Sequence, residues 1–228
     1  MILPNHIAFI LDGHRRWAKA NGKPPLLGHQ AGYDNFIEIA NSCYDKGIKI
    51  VSAYAFSQKN WKRSQDEVGY LMKLFAKSFS HKKLDQIIKR GIRVIFLGRR
   101  TELDKSLVKK MTELENQTSN NQDGVLAILI DYDGRAEIIE AAKKLKETNQ
   151  EISEQNLQQA MWSSQVADPD LIIRTSGEQR LSGFWLWGSS YSEFAFIDKN
   201  WPDFDLQDLE NVLKDYSSRE RRYGAGQA

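Results

Sequence analysis

The sequence predicts a single α/β domain over residues 1–228, built on a mostly parallel six-stranded sheet flanked by helices. Three observations support this fold class. Short apolar runs of strand length alternate with longer segments of helical periodicity. No internal repeat or low-complexity linker divides the chain. The 228 residues, 41% hydrophobic and 27% charged, are typical of a globular protein with a sizeable core.

The strands are predicted where apolar residues run together. The first run, 7–11, is unbroken, as in a fully buried strand, and it ends at the turn dipeptide Asp12-Gly13. The other runs cover 48–56, 92–97, 125–130, 171–173 and 194–197.

Helical periodicity predicts the connecting segments. One helix follows Gly28 and ends at Gly47. Ser64 and Glu67 form a capping box for a long helix that breaks at 82–83 and ends near Gly91. Further helices are predicted over 104–118, 136–147, 153–161 and 205–222.

The candidate site lies where the strands end. Parallel strands share one carboxyl edge, so polar residues that follow different strands converge there. At or just after the strand ends stand Asp12, Ser57, Gly98, Asp131 and Arg174. A carboxylate at this edge can carry the Mg²⁺ that accompanies a diphosphate, and guanidinium groups match phosphate oxygens. Four arginines would form the basic pocket around one or two diphosphates: Arg16, Arg63, Arg174 and Arg180.

Composition excludes several other classes of protein. The single cysteine, Cys43, and four scattered histidines give neither a disulfide framework nor a zinc-site spacing. A net charge of +2 is too small to indicate a nucleic-acid-binding protein. The apolar segment before Asp12 is too short to span a membrane, so a cytoplasmic location is expected.

Other phosphate-binding patterns fit poorly. The Rossmann G-x-G-x-x-G and the Walker phosphate loop are absent. Haloacid-dehalogenase-type phosphatases also open with a strand and an Asp, but they place a second Asp where this chain has His14. Phosphoryl hydrolysis therefore stays a distant alternative.

Five ordered motifs resemble those of the cis-prenyltransferases, the undecaprenyl diphosphate synthase family. Residues 12–18 match D-G-N-x-R-W-A except at His14, and residues 28–32 match G-H-x-x-G. Residues 54–63 match Y-A-F-S-x-x-N-W-x-R, and 174–182 match R-T-x-G-E-x-R-L-S. A Tyr-x-Glu-Phe at 191–194 follows, and the segments 201–204 and 219–224 match as well. The resemblance covers nearly the full length.

The resemblance implies a Mg²⁺-dependent condensation of isopentenyl diphosphate with an allylic diphosphate, farnesyl diphosphate being expected, with each new double bond cis. It implies that Asp12 and Asn60 are catalytic, Asn60 as an orienting group because an amide is a poor base. Asp12 would hold Mg²⁺, completed by Glu193 from this or a neighbouring subunit. The allylic diphosphate would be bound by Gly13, Arg16 and Arg63, and isopentenyl diphosphate by Arg174, Arg180 and Ser182. Further expected contacts are His14, Arg15, Trp17, His29, Ser57, Gln58, Lys59, Trp61 and Leu181.

The expected product is a medium- or long-chain lipid carrier of the kind used in cell-wall synthesis. The growing chain would need an apolar tunnel, where the small side chain of Ala55 leaves space for a longer product. Other tunnel candidates, each also a plausible core residue, are Val68, Leu71, Met72, Phe75, Phe79, Ile95, Leu97 and Ile128. The resemblance further implies a homodimer formed through the C-terminal region, and product release is compatible with peripheral membrane contact.

Two alternatives within the family stay open. One is a short-chain or irregular cis-prenyl diphosphate synthase. The other is a non-catalytic partner subunit, which the presence of Asp12, Asn60 and Arg174 disfavours.

Four departures from the family pattern bear on the site. His14 replaces an Asn and brings an imidazole that ordinarily titrates near neutral pH. Pro25 stands where a phosphate-binding Arg is usual. The family's Asn-Tyr-Gly-Gly-Arg is here 131–135, beginning Asp131-Tyr132-Asp133, and Gly183 replaces an Asn.

Overall fold

All six strands of the computed structural model, which describes residues 2–79 and 82–219, lie in one sheet. They are β1 (His6–Ile10), β2 (Ile50–Ser57), β3 (Ile92–Leu97), β4 (Gly124–Tyr132), β5 (Leu171–Arg174) and β6 (Glu193–Phe196). The order across the sheet is β3-β4-β2-β1-β5-β6, and every pairing in the described part of the chain is parallel. The predicted single α/β domain is therefore confirmed, with a wholly rather than mostly parallel sheet.

Eight α-helices are described. They are α1 (His14–Ala20), α2 (Pro25–Asp45), α3 (Gln65–Ser78), α4 (Lys82–Lys89), α5 (Lys105–Thr118), α6 (Gly134–Glu147), α7 (Glu154–Ala160) and α8 (Leu206–Ser218). The sequence missed α1. The long helix is two helices, α3 and α4, but its break was predicted at 82–83, which are already the first residues of α4. The predicted last helix is described as far as Ser218, and 220–222 lie outside the described residues. Within the described ranges, no helix is both long and apolar enough to cross a bilayer.

The core fills both faces of the sheet. One cluster packs β-strand residues such as Phe9 and Phe96 against α2, α5 and α8. The other covers the opposite face with Tyr132, Phe184 and Trp185. Because both faces of the sheet are largely buried, the strands are mostly apolar, which is why they could be predicted from apolar runs.

A buried polar chain links β1 and β2 under the second cluster. The indole N–H of Trp185 donates to Ser52 Oγ at 3.1 Å, and Ser52 Oγ lies 2.8 Å from His6 Nε2. His6 Nδ1 lies 2.6 Å from the carbonyl of Ala167. All four groups are satisfied when Ser52 donates to a neutral His6 protonated at Nδ1. Burial lowers the pKa of His6 to about 4.

This pKa predicts a loss of stability in mild acid. His6 is neutral in the fold but protonates near pH 6.5 in the unfolded chain, so stability is full above that pH and falls as the pH drops toward 4. The loss at pH 5 is about 2 kcal/mol. Urea unfolding of wild type and His6→Gln at pH 7.5 and 5 measures it, and taking their difference removes the contribution of other histidines. A difference that does not change with pH contradicts the assignment.

Candidate active site

Asp12 is held at the carboxyl end of β1 by its own backbone. Its N–H donates to Thr175 Oγ1 at 3.1 Å, and the Thr175 hydroxyl donates to the Asp12 carbonyl at 2.8 Å. The N–H of Trp201 donates to the same carbonyl at 2.9 Å. Gly13 then turns the chain with φ 102°, where a Cβ would lie 2.4 Å from Asn200 Oδ1. The turn therefore requires glycine, and α1 begins directly after it.

The Asp12 carboxylate pairs with a buried arginine from β5. Arg174 Nη2 donates to Asp12 Oδ2 at 2.9 Å, and Arg174 is 4% exposed. Burial alone would raise the pKa of Asp12. The hydrogen bond and charge of Arg174, together with the Gly13 N–H and the charge of Arg16, hold that pKa below its usual value. Asp12 is thus a carboxylate, with its side chain still 31% exposed.

Arg174 also ties the 174–182 segment to the site. Its Nη1 donates to Ser182 Oγ at 3.0 Å and to the carbonyl of Arg180. Its Nε is buried and has no hydrogen-bond partner among the described residues. This is a donor that a ligand oxygen or a water would satisfy.

Arg16 and Arg180 surround the Asp12–Arg174 pair on its exposed side. Arg16 Nη1 lies 3.1 Å from the carbonyl of Ser176, and its Nη2 lies 3.5 Å from Asp12 Oδ1. Arg16 and Arg180 both pair with Glu178. Three of the four arginines predicted to form the basic pocket therefore meet at this edge, and Arg180 is paired there with Glu178.

A cationic cavity of about 670 Å³ opens beside Asp12. Pro25, which replaces the usual arginine, begins α2 here, and two lysines absent from the prediction, Lys19 and Lys23, line the same cavity. Lys23 Nζ lies 4.6 Å from the centre of the Trp17 ring. Trp17 itself donates its indole N–H to Asp203 at 2.6 Å. Trp17 is not among the described residues that line this cavity. The Trp17 ring therefore packs against the Lys23 ammonium group and does not form a wall of the cavity.

Glu67 organises the side of this cavity formed by α3. Arg63 Nη1 lies 3.0 Å from its Oε1, His29 Nε2 lies 3.5 Å from the same atom, and Arg15 Nη1 lies 3.8 Å from Oε2. The predicted capping box is only half formed. The Ser64 hydroxyl accepts the Glu67 N–H at 3.3 Å, but the Glu67 carboxylate is directed to the basic side chains instead.

His14 and His29 stack on each other with ring centroids 5.0 Å apart. Gly32 makes room for them, because a Cβ there would lie 2.2 Å from the His14 ring. Burial first, and then the neighbouring His29, lower the pKa of His14 to about 3. The expectation that His14 titrates near neutral pH is therefore wrong: its imidazole is neutral there.

The segment after β2 forms a 3₁₀ helix, Gln58–Lys62, with a reciprocal cap. The Ser57 N–H donates to Asn60 Oδ1 at 3.0 Å, so the Asn60 amide oxygen is already engaged. A second cavity borders this turn. Ser57, Asn60 and Arg63 line it, whereas the described positions of Gln58, Lys59 and Trp61 are not part of its lining.

This second cavity, of about 260 Å³, is mostly apolar and reaches into the core between the sheet, α2 and α3. Five of the predicted tunnel residues line it: Ala55, Leu71, Phe75, Phe79 and Ile128. The placement of Ile95 and Leu97 was wrong, because alternate residues of β3 face opposite sides of the sheet and these two belong to the other cluster. Val68 and Met72 pack at the margin of the core.

Glu193 does not approach Asp12 within the chain. It begins β6 opposite Leu171, whereas Arg174, the partner of Asp12, lies opposite Phe196. Three residues of strand separate them, about 10 Å. Glu193 instead pairs with Arg219 at 2.7 Å. In the part of the chain that is described, no three His, Cys, Asp or Glu side chains cluster as a metal site.

Three functional contacts were missed by sequence reasoning. Thr175 anchors Asp12, Glu67 gathers the basic side chains, and Asn200 accepts a hydrogen bond from Ser176 beneath Gly13 at 2.7 Å. Thr175 lies inside the 174–182 motif, and that position in the motif could have identified it as a site residue. The remaining expected contact, Leu181, packs against the second core cluster.

Comparison with known proteins extends over nearly the whole chain. A family model described as putative undecaprenyl diphosphate synthase matches residues 10–224. A ditrans,polycis-undecaprenyl-diphosphate synthase ((2E,6E)-farnesyl-diphosphate specific) of Legionella pneumophila is 42% identical, covering 97% of this chain and 96% of the relative. A trans,polycis-polyprenyl diphosphate synthase ((2Z,6E)-farnesyl diphosphate specific) of Thermobifida fusca is 40% identical, covering 99% and 82%. The crystal structure of lavandulyl diphosphate synthase from Lavandula x intermedia, with dimethylallyl diphosphate, matches with a TM-score of 0.93 and 33% identity over 97% of this chain and 98% of that one.

Proposed function

This chain belongs to the undecaprenyl diphosphate synthase family, and on that premise we propose that it condenses isopentenyl diphosphate with an allylic diphosphate to give a cis-polyprenyl diphosphate. The observation that carries the proposal is the junction of the two cavities. Leu11, Asp12, His14, His29 and Arg63 line both, so a cationic mouth leads directly into an apolar interior. That arrangement suits a molecule with a diphosphate head and a hydrocarbon tail. The family model spans 10–224, which supports treating 1–228 as one catalytic domain.

The two diphosphates are assigned to the two sides of Asp12. The allylic diphosphate lies in the cationic cavity against Gly13, Arg16 and Arg63, with its tail in the apolar one. Isopentenyl diphosphate lies against Arg180, Ser182 and Arg174, whose unpartnered Nε supports this assignment. Asn60 orients the reacting carbon, and because its amide oxygen is engaged by Ser57, a diphosphate oxygen takes the proton that is lost.

The residues present fit a magnesium ion that arrives with its substrate. Mg²⁺ is usually held by one or two carboxylates together with substrate phosphates, and Asp12 offers a partly exposed carboxylate beside the cationic cavity. When bound there, Mg²⁺ would stabilise the negative charge that develops on the departing diphosphate. The guanidinium groups of Arg16 and Arg63 would stabilise the same negative charge from the protein side.

A homodimer would supply the remaining metal ligand. Since Glu193 lies at the opposite edge of the sheet from Asp12 in one chain, we assign its role to the partner subunit. Part of the C-terminal region expected to form the dimer, 220–224, lies outside the described residues. We place the enzyme in the cytoplasm, with peripheral contact at the membrane when an insoluble product leaves. We expect no nucleic-acid partner, because a net charge of +2 is too small to indicate one.

The allylic primer and the product length separate the main proposal from its alternative. The two curated relatives are specific for different farnesyl diphosphate isomers, and the structural relative binds dimethylallyl diphosphate. Radiolabelled isopentenyl diphosphate should be supplied with each of these three primers, with Mg²⁺ or with EDTA. A Mg²⁺-dependent ladder of long products supports the lipid-carrier function. Products of two to four isoprene units indicate a short-chain synthase. No incorporation indicates an irregular synthase, which would join two allylic diphosphates and still release diphosphate, or a non-catalytic partner subunit, which would release none.

Ala55 tests whether the apolar cavity holds the growing chain. Ala55→Leu fills space in its wall and should shorten the longest products while leaving the first condensation within about threefold of wild type. Ala76→Leu, the same substitution at a partly buried residue of α3 outside the lining, is the control. If the distribution of product lengths is unchanged in Ala55→Leu, the growing prenyl chain does not occupy this cavity.

A further inference from the structure

Asp131 is a fully buried carboxylate for which the proposed reaction has no use. It lies one residue before the end of β4, is 0% exposed, and has φ 49°, a left-handed conformation that few residues other than glycine adopt. The position is next to the site, because its neighbour Tyr132 pairs with Ser57 at the end of β2.

Both oxygens of this carboxylate are engaged. Oδ1 accepts the indole N–H of Trp61 at 2.7 Å, and Oδ2 accepts Arg99 Nε at 3.0 Å. The Asp131 carbonyl accepts Gln58 Nε2 at 3.2 Å and the Arg99 N–H at 3.2 Å. One residue therefore holds the 3₁₀ helix at its first position and at its fourth.

The turn that Asp131 holds carries substrate-facing residues. Asn60 stands between Gln58 and Trp61, and Arg63 follows the turn; both line the apolar cavity, and Arg63 also lines the cationic one. The cap between Ser57 and Asn60 makes the turn one unit, and the Trp61 ring packs edge-on against Phe56 at 5.1 Å. A change in the position of Trp61 would therefore move Asn60 with it.

We propose that Asp131 is a positioning residue: by accepting the Trp61 indole N–H, it fixes the Gln58–Lys62 turn so that Asn60 and Arg63 face the two diphosphate substrates. Arg99 supplies the countercharge to the buried carboxylate. The role rests on the proposed function. It differs from a purely structural pairing of Asp131 with Arg99, which would need the charge but not the acceptor for Trp61.

Two substitutions at this residue separate the two roles. Asp131→Asn keeps an oxygen that can accept from Trp61 but gives up the charge opposite Arg99, whereas Asp131→Ala removes both. Positioning predicts that Asp131→Ala lowers kcat roughly 10- to 100-fold and that Asp131→Asn stays within about threefold of wild type. Trp61→Phe should resemble Asp131→Ala, and the double variant should be no worse than Trp61→Phe alone. Arg100→Gln is the matched control. Arg100 is next to Arg99 in the chain but pairs with Glu115, so its replacement does not remove the acceptor of the Trp61 indole N–H.

Amide hydrogen exchange of the 58–62 segment gives a readout that does not require activity. Exchange should quicken in Asp131→Ala and Trp61→Phe but not in Asp131→Asn or Arg100→Gln. Equal losses in Asp131→Asn and Asp131→Ala overturn the proposal, as does an Asp131→Ala enzyme with unchanged kcat. If Asp131→Ala does not fold, a Trp61→Phe enzyme with wild-type exchange and kcat overturns it. An inactive wild type would refute the proposed function instead, and the exchange pattern would still decide whether Asp131 holds the turn.

Discussion

Replacing Asp12 by asparagine is expected to lower kcat by roughly 10²- to 10³-fold. The substitution keeps the shape of the side chain and its contact with the Gly13 N–H, which donates to Asp12 Oδ1 at 2.7 Å. It removes the carboxylate charge of Asp12 that would hold Mg²⁺ beside the allylic diphosphate. The rate of isopentenyl diphosphate incorporation at saturating substrates measures the loss, and a titration with Mg²⁺ should show a raised requirement for the metal.

The substitution also leaves the buried Arg174 without its carboxylate partner, so the stability of the variant has to be measured alongside its rate. The expected cost in the free energy of unfolding is about 3 kcal/mol, and assays should be run well below the melting temperature. Asp203→Asn is the matched control: its side chain accepts the Trp17 indole N–H, an interaction that asparagine can retain. An Asp12→Asn enzyme within tenfold of wild type would remove Asp12 from the chemistry.

Replacing Arg174 by glutamine is expected to lower kcat/KM for isopentenyl diphosphate by at least 10²-fold. Arg174 joins the end of β1 to the 174–182 segment, because it contacts Asp12, Ser182 and the carbonyl of Arg180. Arg174→Lys should recover little of the loss, because a single ammonium cannot reproduce the planar fork of donors. Steady-state kinetics with the concentration of each substrate varied in turn should place the main defect in the KM for isopentenyl diphosphate.

Arg90→Gln provides the control for loss of a guanidinium group. Arg90 pairs with Asp45 at 2.6 Å, away from both cavities, and its replacement should leave the kinetics unchanged. If Arg174→Gln raised the KM for the allylic substrate alone, the assignment of the two diphosphates would have to be exchanged.

The strands could be predicted because burial on both faces leaves an unambiguous signal. Most of them appear as nearly continuous apolar runs, and the carboxyl edge that they share predicts that Asp12 and Arg174 lie together. Helix α1 was missed for the opposite reason. Seven residues with two arginines show no apolar stripe, and the helix exists because Gly13 turns the chain and Ala18 packs against the rest of the fold.

The partners inside the site were harder to predict than its members. Glu67 carried a capping signal in the sequence, yet its carboxylate gathers Arg63 and His29 instead. Whether His14 titrates depends on how tightly α2 encloses it, and neither spacing nor residue type reveals that. The position of Glu193 follows from the register of β6 against β5, which the sequence does not specify.

The most direct test of the account is the geometry of the bond that the enzyme makes. Isopentenyl diphosphate labelled with ¹³C should be incubated with farnesyl diphosphate and Mg²⁺, and the product examined by NMR. The account predicts a labelled polyprenyl diphosphate whose new double bonds are all cis, formed with one diphosphate released for each condensation. New trans double bonds, or release of inorganic phosphate without a new carbon–carbon bond, would contradict it.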